Sequence, residues 1–561
     1  MKTSPMIPFV ALLAGFAGFA SAPFALCADE AVVLKALKDE MARSIDRLQM
    51  ENVERPFYVS YVLDESDVFS CSSAFGALQG AGRNPSRSCS IDVRVGSFDL
   101  DNTNFARGGG GAAGVSLPED DDYGAIRQNL WLVTDRRYKD AVEELAAKKA
   151  WLQTNVVTDR PADWTVVPPV EHLEPKRTLT VDEAKMKELT RALSARFTGA
   201  AKIQSSSVSL RAAAENRTLL STEGFHTRTG ETWFRLSVTA GTQADDGMPI
   251  GDVRVFYGRT AADFPPEAEL VAAVDAMIEK LTARTSAPRA EEYIGPVLFE
   301  GDAACQVLSE LLVQRLSDAH EPLGSRDAGS PFKNRLKKRI APPFLTVIDD
   351  PSQRSFEGTP LLGAFEVDHD GVKTRPVTLV EEGRLKEWYM SRIPTRAIKE
   401  TNGHSRGGSG GAGCVFARST NGKSRDELRK ELVRIAVEQE LPYAIRVESL
   451  ARPDVTSWGP RASGWYSDGQ VDLSAPVAAY RVYPDGHEEP IRGAQWQGVT
   501  LRTLRDIFLT SDRMNVMNTV GGGAFVSIVC PDLLVEELEI KKPAPQEAKL
   551  PYLAHPSFAK E

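Results

Sequence analysis

The chain has 561 residues, of which 42% are hydrophobic and 26% charged, an ordinary globular balance with enough length for two large domains. The formal net charge of -10 at pH 7 and the pI near 5.5 argue against general nucleic-acid binding, because a protein that binds phosphates by counterion release carries a basic surface. The basic run at 333–339 is an exception, and its pattern is typical of a solvated surface segment.

The first residues have the layout of a secretory signal peptide. Lys2 precedes an apolar run at 7–20, small residues follow to Ala28, and an acidic stretch begins at Asp29. The apolar run is too short to span a membrane, and no later stretch approaches the ~20 apolar residues of a transmembrane helix. We therefore expect a signal peptide at 1–28, a mature protein that starts near Asp29, and a periplasmic or secreted location.

Export changes the interpretation of the six cysteines, because disulfides persist in oxidising compartments. Cys71 and Cys89 flank a segment rich in Gly, Ser and Arg between two strand-like runs, so a disulfide that closes this loop is one interpretation. The other is that both are small strand residues that never meet. Cys305, Cys414 and Cys530 are expected to be separate, and no C-x-x-C spacing indicates a structural zinc or redox site.

Apolar periodicity predicts the elements of an amino-terminal domain at 29–285. Helices are predicted at 34–48, 123–153, 181–197 and 267–282, and strands at 57–63, 68–78, 90–100, 202–210, 217–222, 232–240 and 251–257. The glycine-rich stretch at 107–114 is predicted to be a flexible loop, because no strand-to-helix P-loop pattern accompanies it.

The same reasoning predicts a carboxy-terminal domain at 286–542, followed by a Pro-containing tail at 543–561. Its predicted elements are a strand at 293–299, a helix at 302–316 that Asp302 can cap, a helix at 425–439 and a closing strand at 534–540. The fold class that follows is α+β with two domains, the first mixed and the second dominated by sheet.

Several motifs of the second half occur in a recognisable order and spacing. They are Glu357-Gly-Thr-Pro360, the run from Asp368 to Tyr389, Thr401-Asn-Gly-His-Ser-Arg406, Gln470-Val-Asp-Leu473, Pro490-Ile-Arg-Gly-Ala494 and Leu534-Val-Glu-Glu-Leu-Glu-Ile540. Together they resemble the TldD/PmbA family, the gyrase-modulator peptidases. The resemblance covers 285–542 well and extends more loosely to 56–61 and 93–103. It implies the two-domain α+β architecture and assembly as dimers that enclose a chamber.

Active TldD-type members carry a His-Glu-x-x-x-His motif and a late cysteine that hold zinc. Aligned from Pro296 onward, the motif places Ser309 and Gln314 at the two histidine positions and Glu310 at the glutamate. A neutral hydroxyl and a neutral amide are poor zinc ligands. Cys530 also lies about a dozen residues after the family's ligand, which belongs near 518–523. The resemblance therefore implies a PmbA-type chain without the metal site and without a cofactor of its own.

Three side chains are candidates for function. Glu310 is either a vestigial general base or an ordinary hydrogen-bonded helix residue. His404 and Arg406 lie in a segment that the family places near its active cleft, so they are candidate substrate contacts, and glycines at 407–413 would let backbone N–H groups approach a peptide. The alternative for this segment is a mobile surface loop. On a regular helix, positions 309 and 314 lie about 140° apart, so the motif needs a locally irregular backbone.

Two classes of function remain. The first is an exported metallopeptidase-family protein that acts on peptides or unfolded polypeptide. It acts either as the non-catalytic subunit of a homodimer or of a heterodimer with a zinc-bearing member, or with residual peptidase activity through ligands that the motif does not show. The second is a non-enzymatic exported scaffold or peptide-binding protein. Neither class involves nucleic acid or a membrane span.

Overall fold

The computed structural model describes residues 28–51, 53–108, 111–317, 320–325, 330–452, 471–521 and 523–543. The predicted signal peptide, apart from Ala28, and the tail from 544 onward lie outside these ranges, as does Gln470.

The described residues of the first half form four helices and one sheet of seven strands. In chain order these elements are α1 (Ala28–Arg47), β1 (Pro56–Ala74), β2 (Ala77–Val95), β3 (Ala113–Ser116), α2 (Tyr123–Thr154), β4 (Glu171–Leu173), α3 (Glu183–Ala195), β5 (Ser205–Ser221), β6 (His226–Gln243), β7 (Pro249–Gly258) and α4 (Glu267–Arg284). The sheet order is β3-β2-β1-β5-β6-β4, and β7 also pairs with β6.

The four helices cover one face of this sheet. Alternate residues of a strand point to the same face, so residues an even number apart on β1 pack against these helices. Tyr61 of β1 packs with the apolar stripes of α1 and α2, while Phe69, further along the same strand and on the same face, packs with α3 and α4. The opposite face presents Trp233 to Phe525 of the second half, with ring centroids 5.4 Å apart. The first sheet therefore forms one wall of the contact between the two halves.

The described residues of the second half form a sheet of twelve strands, two short hairpins and two helices. In chain order these elements are β8 (Tyr293–Phe299), α5 (Asp302–Leu311), β9 (Leu345–Asp349), β10 (Ser355–Phe356), β11 (Thr359–Pro360), β12 (Val377–Glu381), β13 (Arg384–Leu385), β14 (Ser405–Arg406), β15 (Ser409–Gly410), β16 (Cys414–Ser419), β17 (Gly422–Lys423), α6 (Arg425–Glu438), β18 (Ala444–Leu450), β19 (Pro476–Val482), β20 (Glu488–Ile491), β21 (Gln495–Gln497), β22 (Ile507–Gly521) and β23 (Ala524–Lys541).

The central strand β23 organises this second sheet, since it pairs with β16, β8, β22 and β21. Alternation along β8 places Phe299 on the face that packs with α5 and Leu298 on the face that packs with α6. The helix α5, which carries the candidate site, is thus held on one side of the sheet by an apolar core.

A buried arginine ties the two halves together. The guanidinium of Arg392 donates to both carboxylate oxygens of Glu223 at 2.7 and 2.9 Å and to the carbonyl of Thr165 at 3.0 and 2.8 Å. Its side chain is 0% exposed and lies against the rings of Trp164 and Phe225. Both acceptors belong to the first half, so this contact crosses the predicted boundary.

The predicted α+β class is confirmed, and so are the helices α2, α3, α4 and α6, within two residues at each end; α1 is also confirmed but begins six residues before its predicted start. The two sheets lie on either side of the predicted boundary at 286, whose exact position stays a prediction. No helix in the part of the chain that the structure describes is long and apolar enough to cross a membrane.

The strand predictions for the first half were too short. The runs at 57–63 and 68–78 belong mostly to one strand, β1, which ends in a turn at Phe75 and Gly76, with φ of 46° and 82°. The polar segment 64–67 between the two runs is paired with β2 on one side and β5 on the other, and 211–216 is likewise paired on both sides.

The predicted Cys71–Cys89 disulfide is wrong. Cys71 lies opposite Ala81 and Cys89 lies opposite Leu63, so the two cysteines are eight residues out of register on paired strands. At ~3.4 Å per residue this separates them by about 27 Å, far beyond the reach of a disulfide. Both are buried free thiols, as the second interpretation had it.

Candidate functional site

The helix α5 is shorter than predicted, and the way in which it ends shapes the site. It begins at Asp302, after Gly301 with a φ of 60°, and ends at Leu311 because Leu312 has φ and ψ of -124° and -65°. A short 3-10 turn, Val313–Arg315, follows. Gly301, and not Asp302, occupies the N-cap position, with no side-chain cap.

This break brings Ser309 and Gln314 together. The Nε2 of Gln314 donates to the Oγ of Ser309 at 3.2 Å, although the two residues are five positions apart. The Nε of Arg315 donates to the carbonyl of Glu310 at 2.6 Å and closes the end of the helix. The irregular backbone that the motif requires is present.

Glu310 is buried and held by three hydrogen bonds. Its carboxylate accepts from the Nε2 of Gln306 at 2.8 Å, from the backbone N–H of Ser474 at 2.8 Å and from the Oγ of Ser474 at 2.7 Å. Burial raises the pKa of Glu310, and these donors oppose the rise. The carboxylate therefore anchors α5 to the segment before β19.

A cavity of about 570 Å³ opens beside these residues. Its lining comes from α5 and the turn after it, from the β14–β15 hairpin, from the end of β18 and from β22 and β23. The lining residues include Ser309, Glu310, Gln314, Arg406, Ser409, Gly410, Arg452, Met517, Thr519 and Val520. The predicted motif residues and Arg406 thus share one cavity.

The segment at 405–410 forms a tight hairpin. Gly407 and Gly408 form its turn with φ of 68° and 92°, values that L side chains rarely adopt. A Cβ at Gly410 would lie 2.1 Å from the carbonyl oxygen of Tyr389, so only glycine fits there. The hairpin presents Arg406 to the cavity.

His404 lies behind the hairpin and outside the cavity lining. It is 0% exposed, its Nε2 donates to the carbonyl of Arg375 at 3.0 Å, and its ring packs against Phe365 and Tyr389. The geometry therefore does not support the expectation that His404 contacts a substrate. Instead, His404 packs against Phe365, and the guanidinium of Arg406 lies over the ring of Phe365.

Comparison with known proteins places these features in a family. A family model described as the PmbA/TldA metallopeptidase C-terminal domain matches residues 291–449, which include α5, the hairpin and Glu310. Over residues 291–449 the chain matches the TldD/PmbA family. A "Metalloprotease" of Archaeoglobus fulgidus is 31% identical over 90 residues, which are 16% of this chain and 19% of that protein. The match thus spans about a fifth of the length of this curated relative.

Solved structures of similar fold cover both halves. TldE from Thermococcus kodakarensis is 14% identical with a TM-score of 0.57, over 91% of this chain and 100% of that one. Candidate modulators of DNA gyrase from Thermotoga maritima and Bacteroides thetaiotaomicron are 15% and 13% identical, with TM-scores of 0.61 and 0.60. The match to the Thermotoga maritima protein covers 90% of this chain and 99% of that chain, and the match to the Bacteroides thetaiotaomicron protein covers 91% and 98%. At this identity the likeness concerns the TldD/PmbA fold.

The donors present do not fit the zinc that active TldD/PmbA members hold. Zinc selects thiolate, imidazole or carboxylate, whereas Ser309 and Gln314 offer a hydroxyl and an amide that bond to each other. Across the described ranges, no group of three His, Cys, Asp or Glu side chains is arranged to hold a metal ion. Of the three motif positions, only Glu310 carries an ionisable side chain.

The late cysteine does not complete a site either. Cys530 is fully buried on β23, with its Sγ 3.9 Å from the carbonyl of Ala304. At the family's position, Asn518 donates to the carbonyl of Pro360 at 3.0 Å. Cys530 neighbours Cys305. The pKa of Cys305 is raised, mainly by burial and also by the thiol of Cys530. The two cysteines are separate thiols, as expected, although the packing of α5 on β23 makes them neighbours.

Two residues of the site were missed by sequence reasoning. Ser474, which provides two of the three donors to Glu310, follows directly after the family-like Gln470–Leu473 segment, and that adjacency was the available signal. Arg452 enters the cavity from the end of β18 and donates to the carbonyl of Asn518 at 3.5 Å. No local pattern distinguishes it.

Proposed function

We propose that this chain is a non-catalytic, peptide-binding member of the TldD/PmbA family. The observation that carries the proposal is the 3.2 Å hydrogen bond from Gln314 to Ser309, at the two positions where the family motif places its histidines. Because a hydroxyl and an amide satisfy each other there, neither supplies the charge or basicity that would retain zinc.

The environment of Glu310 supports the same proposal. A metallopeptidase glutamate must reach a water whose pKa the metal has lowered. Here three donors from Gln306 and Ser474 already occupy the carboxylate of Glu310. Glu310 then serves as an anchor for α5 rather than as a general base.

Peptide binding is supported by the position of β22 at the cavity. Met517, Thr519 and Val520 of this strand line the cavity. In the described part of the sheet, residues 514–521 pair with β23 on one side and have no strand on the other. A strand edge without a neighbouring strand is a common docking place for extended polypeptide, so peptides or unfolded polypeptide are the proposed ligands.

The proposal includes export and assembly. The layout of residues 1–28 supports a periplasmic or secreted location, and amino-terminal sequencing that finds an intact Met1 on a cytoplasmic protein would contradict it. The resemblance to the TldD/PmbA family motivates a dimeric arrangement, either with a second copy or with a relative that carries an intact His-Glu-x-x-x-His motif.

The experiment is a paired binding and cleavage assay. A fluorescent unfolded peptide is titrated with the mature protein, and its integrity is followed by mass spectrometry with and without a chelator. We expect saturable binding and no cleavage. Chelator-sensitive cleavage by the chain alone would contradict the non-catalytic role, and absence of binding would favour a scaffold that does not recognise peptides.

A further inference from the structure

We propose that the cavity beneath the β14–β15 hairpin is a carboxylate-binding site, in which Arg406 binds a carboxylate of the peptide. This inference rests on the proposed peptide-binding function and adds the chemical group that is recognised.

Arg406 is built into the cavity wall. Its guanidinium lies 4.4 Å from the centroid of the Phe365 ring and donates to the carbonyl of Phe525 at 3.3 Å. Gly411 leaves room for it, since a Cβ there would approach the Cβ of Arg406 to 2.8 Å. Stacking, a hydrogen bond and a close-packed glycine therefore fix the side chain before any ligand arrives.

The charge of Arg406 is incompletely compensated. No carboxylate of the described residues forms an ion pair with it; Glu231 and Asp349 act on it from further away, and Arg217 opposes them. Burial lowers the pKa of Arg406, which reflects the loss of hydration of the cation. A bound carboxylate would restore the missing partner in a geometry that guanidinium groups favour.

The rest of the lining also favours an anion over an ammonium group. Ser409 adds a hydroxyl to the lining beside the positive charge of Arg406. The one carboxylate among the described lining residues, Glu310, is occupied by its three donors. An anionic group therefore meets complementary charge here, whereas an amine would have no free acceptor of opposite sign.

Two parts of a peptide carry a carboxylate, the chain terminus and an acidic side chain. Three fluorescent peptides of one otherwise neutral sequence separate them: a free acid, a carboxy-terminal amide, and an amide with one internal Glu. Binding of each is measured by anisotropy to the mature protein, to Arg406→Gln, to Arg406→Lys, and to Arg418→Gln as an exposed control.

The wild type should bind at least one carboxylate peptide about 10- to 100-fold more tightly than the neutral amide, the range expected for a charge-assisted hydrogen bond. Arg406→Gln should lose this preference, Arg406→Lys should keep part of it, and Arg418→Gln should keep all of it. Circular dichroism melts of the four proteins establish that each is folded.

Failure of the carboxylate site, of the assignment to Arg406 and of peptide binding itself would each give a different result. Equal binding of all three peptides by the wild type would overturn the carboxylate site and leave peptide binding intact. A preference that survives in folded Arg406→Gln would overturn the assignment to Arg406. Absence of binding to every peptide would overturn the proposed function, and this inference with it.

Discussion

Replacing Arg392 by methionine should weaken the whole molecule, because this side chain joins its two halves. The change removes four donor contacts, two to Glu223 and two to the Thr165 carbonyl, and keeps most of the side-chain volume. Arg392 is 0% exposed and Glu223 is 14% exposed, so the carboxylate would be left nearly buried and unpaired.

Breaking a buried ion pair in this way lowers the free energy of unfolding by about 3–5 kcal/mol, mostly because the carboxylate of Glu223 is left buried and unpaired. Substituting both members, as Arg392→Met with Glu223→Leu, should cost less than Arg392→Met alone, since no unpaired charge remains. The double variant thus separates the penalty of an orphaned carboxylate from the value of the contact.

Urea unfolding followed by tryptophan fluorescence suits this test, because the ring of Trp164 lies 4.6 Å from the Arg392 guanidinium and reports on this interface. Arg196→Met is a matched control: Arg196 binds Asp275 through two contacts of 2.8 Å, but both side chains are exposed. Exposed pairs contribute little, so its midpoint should not move. Equal losses in the two variants would refute the reasoning.

Two further predictions concern the hairpin. The Nδ1 of His369 accepts from the N–H of Gly407 at 2.8 Å, and burial, then Arg217 and Arg406, lower the pKa of His369 well below its usual range. Below about pH 6.5 the unfolded chain therefore binds a proton that the folded chain refuses, and stability should fall on acidification by up to about 1.4 kcal/mol per pH unit. His369→Gln should lessen this slope in urea titrations at several pH values, and parallel profiles would contradict the prediction. Gly410→Ala should destabilise by about 1–3 kcal/mol through its clash with Tyr389, whereas Gly82→Ala, which meets nothing within 4 Å, should change stability by about 0.5 kcal/mol or less in the same assay.

The sequence predicts those elements whose periodicity is strong. Apolar residues at three- and four-residue spacing predict α1 and α2, and Asp182 and Ser424 cap α3 and α6 with their side chains. The same signal overextends α5, because nothing local shows that Leu312 leaves helical geometry.

Long-range pairing explains the other differences. The polar residues between 79 and 89 read as a loop, yet they form β2 because β1 supplies hydrogen-bond partners along its length. Cys305 and Cys530 become neighbours only when α5 packs on β23. The site residues 309, 310 and 314 were predicted through the family motif, while Ser474 and Arg452 reach the cavity through tertiary contacts alone.

The zinc content of the purified mature protein tests the central claim most directly. It is measured by elemental mass spectrometry after dialysis against buffer containing zinc. The bond between Ser309 and Gln314 predicts no stoichiometric zinc, and no chelator-sensitive peptidase activity. One equivalent of zinc, together with peptidase activity that is lost in Glu310→Gln, would contradict the account and return this chain to the active metallopeptidases.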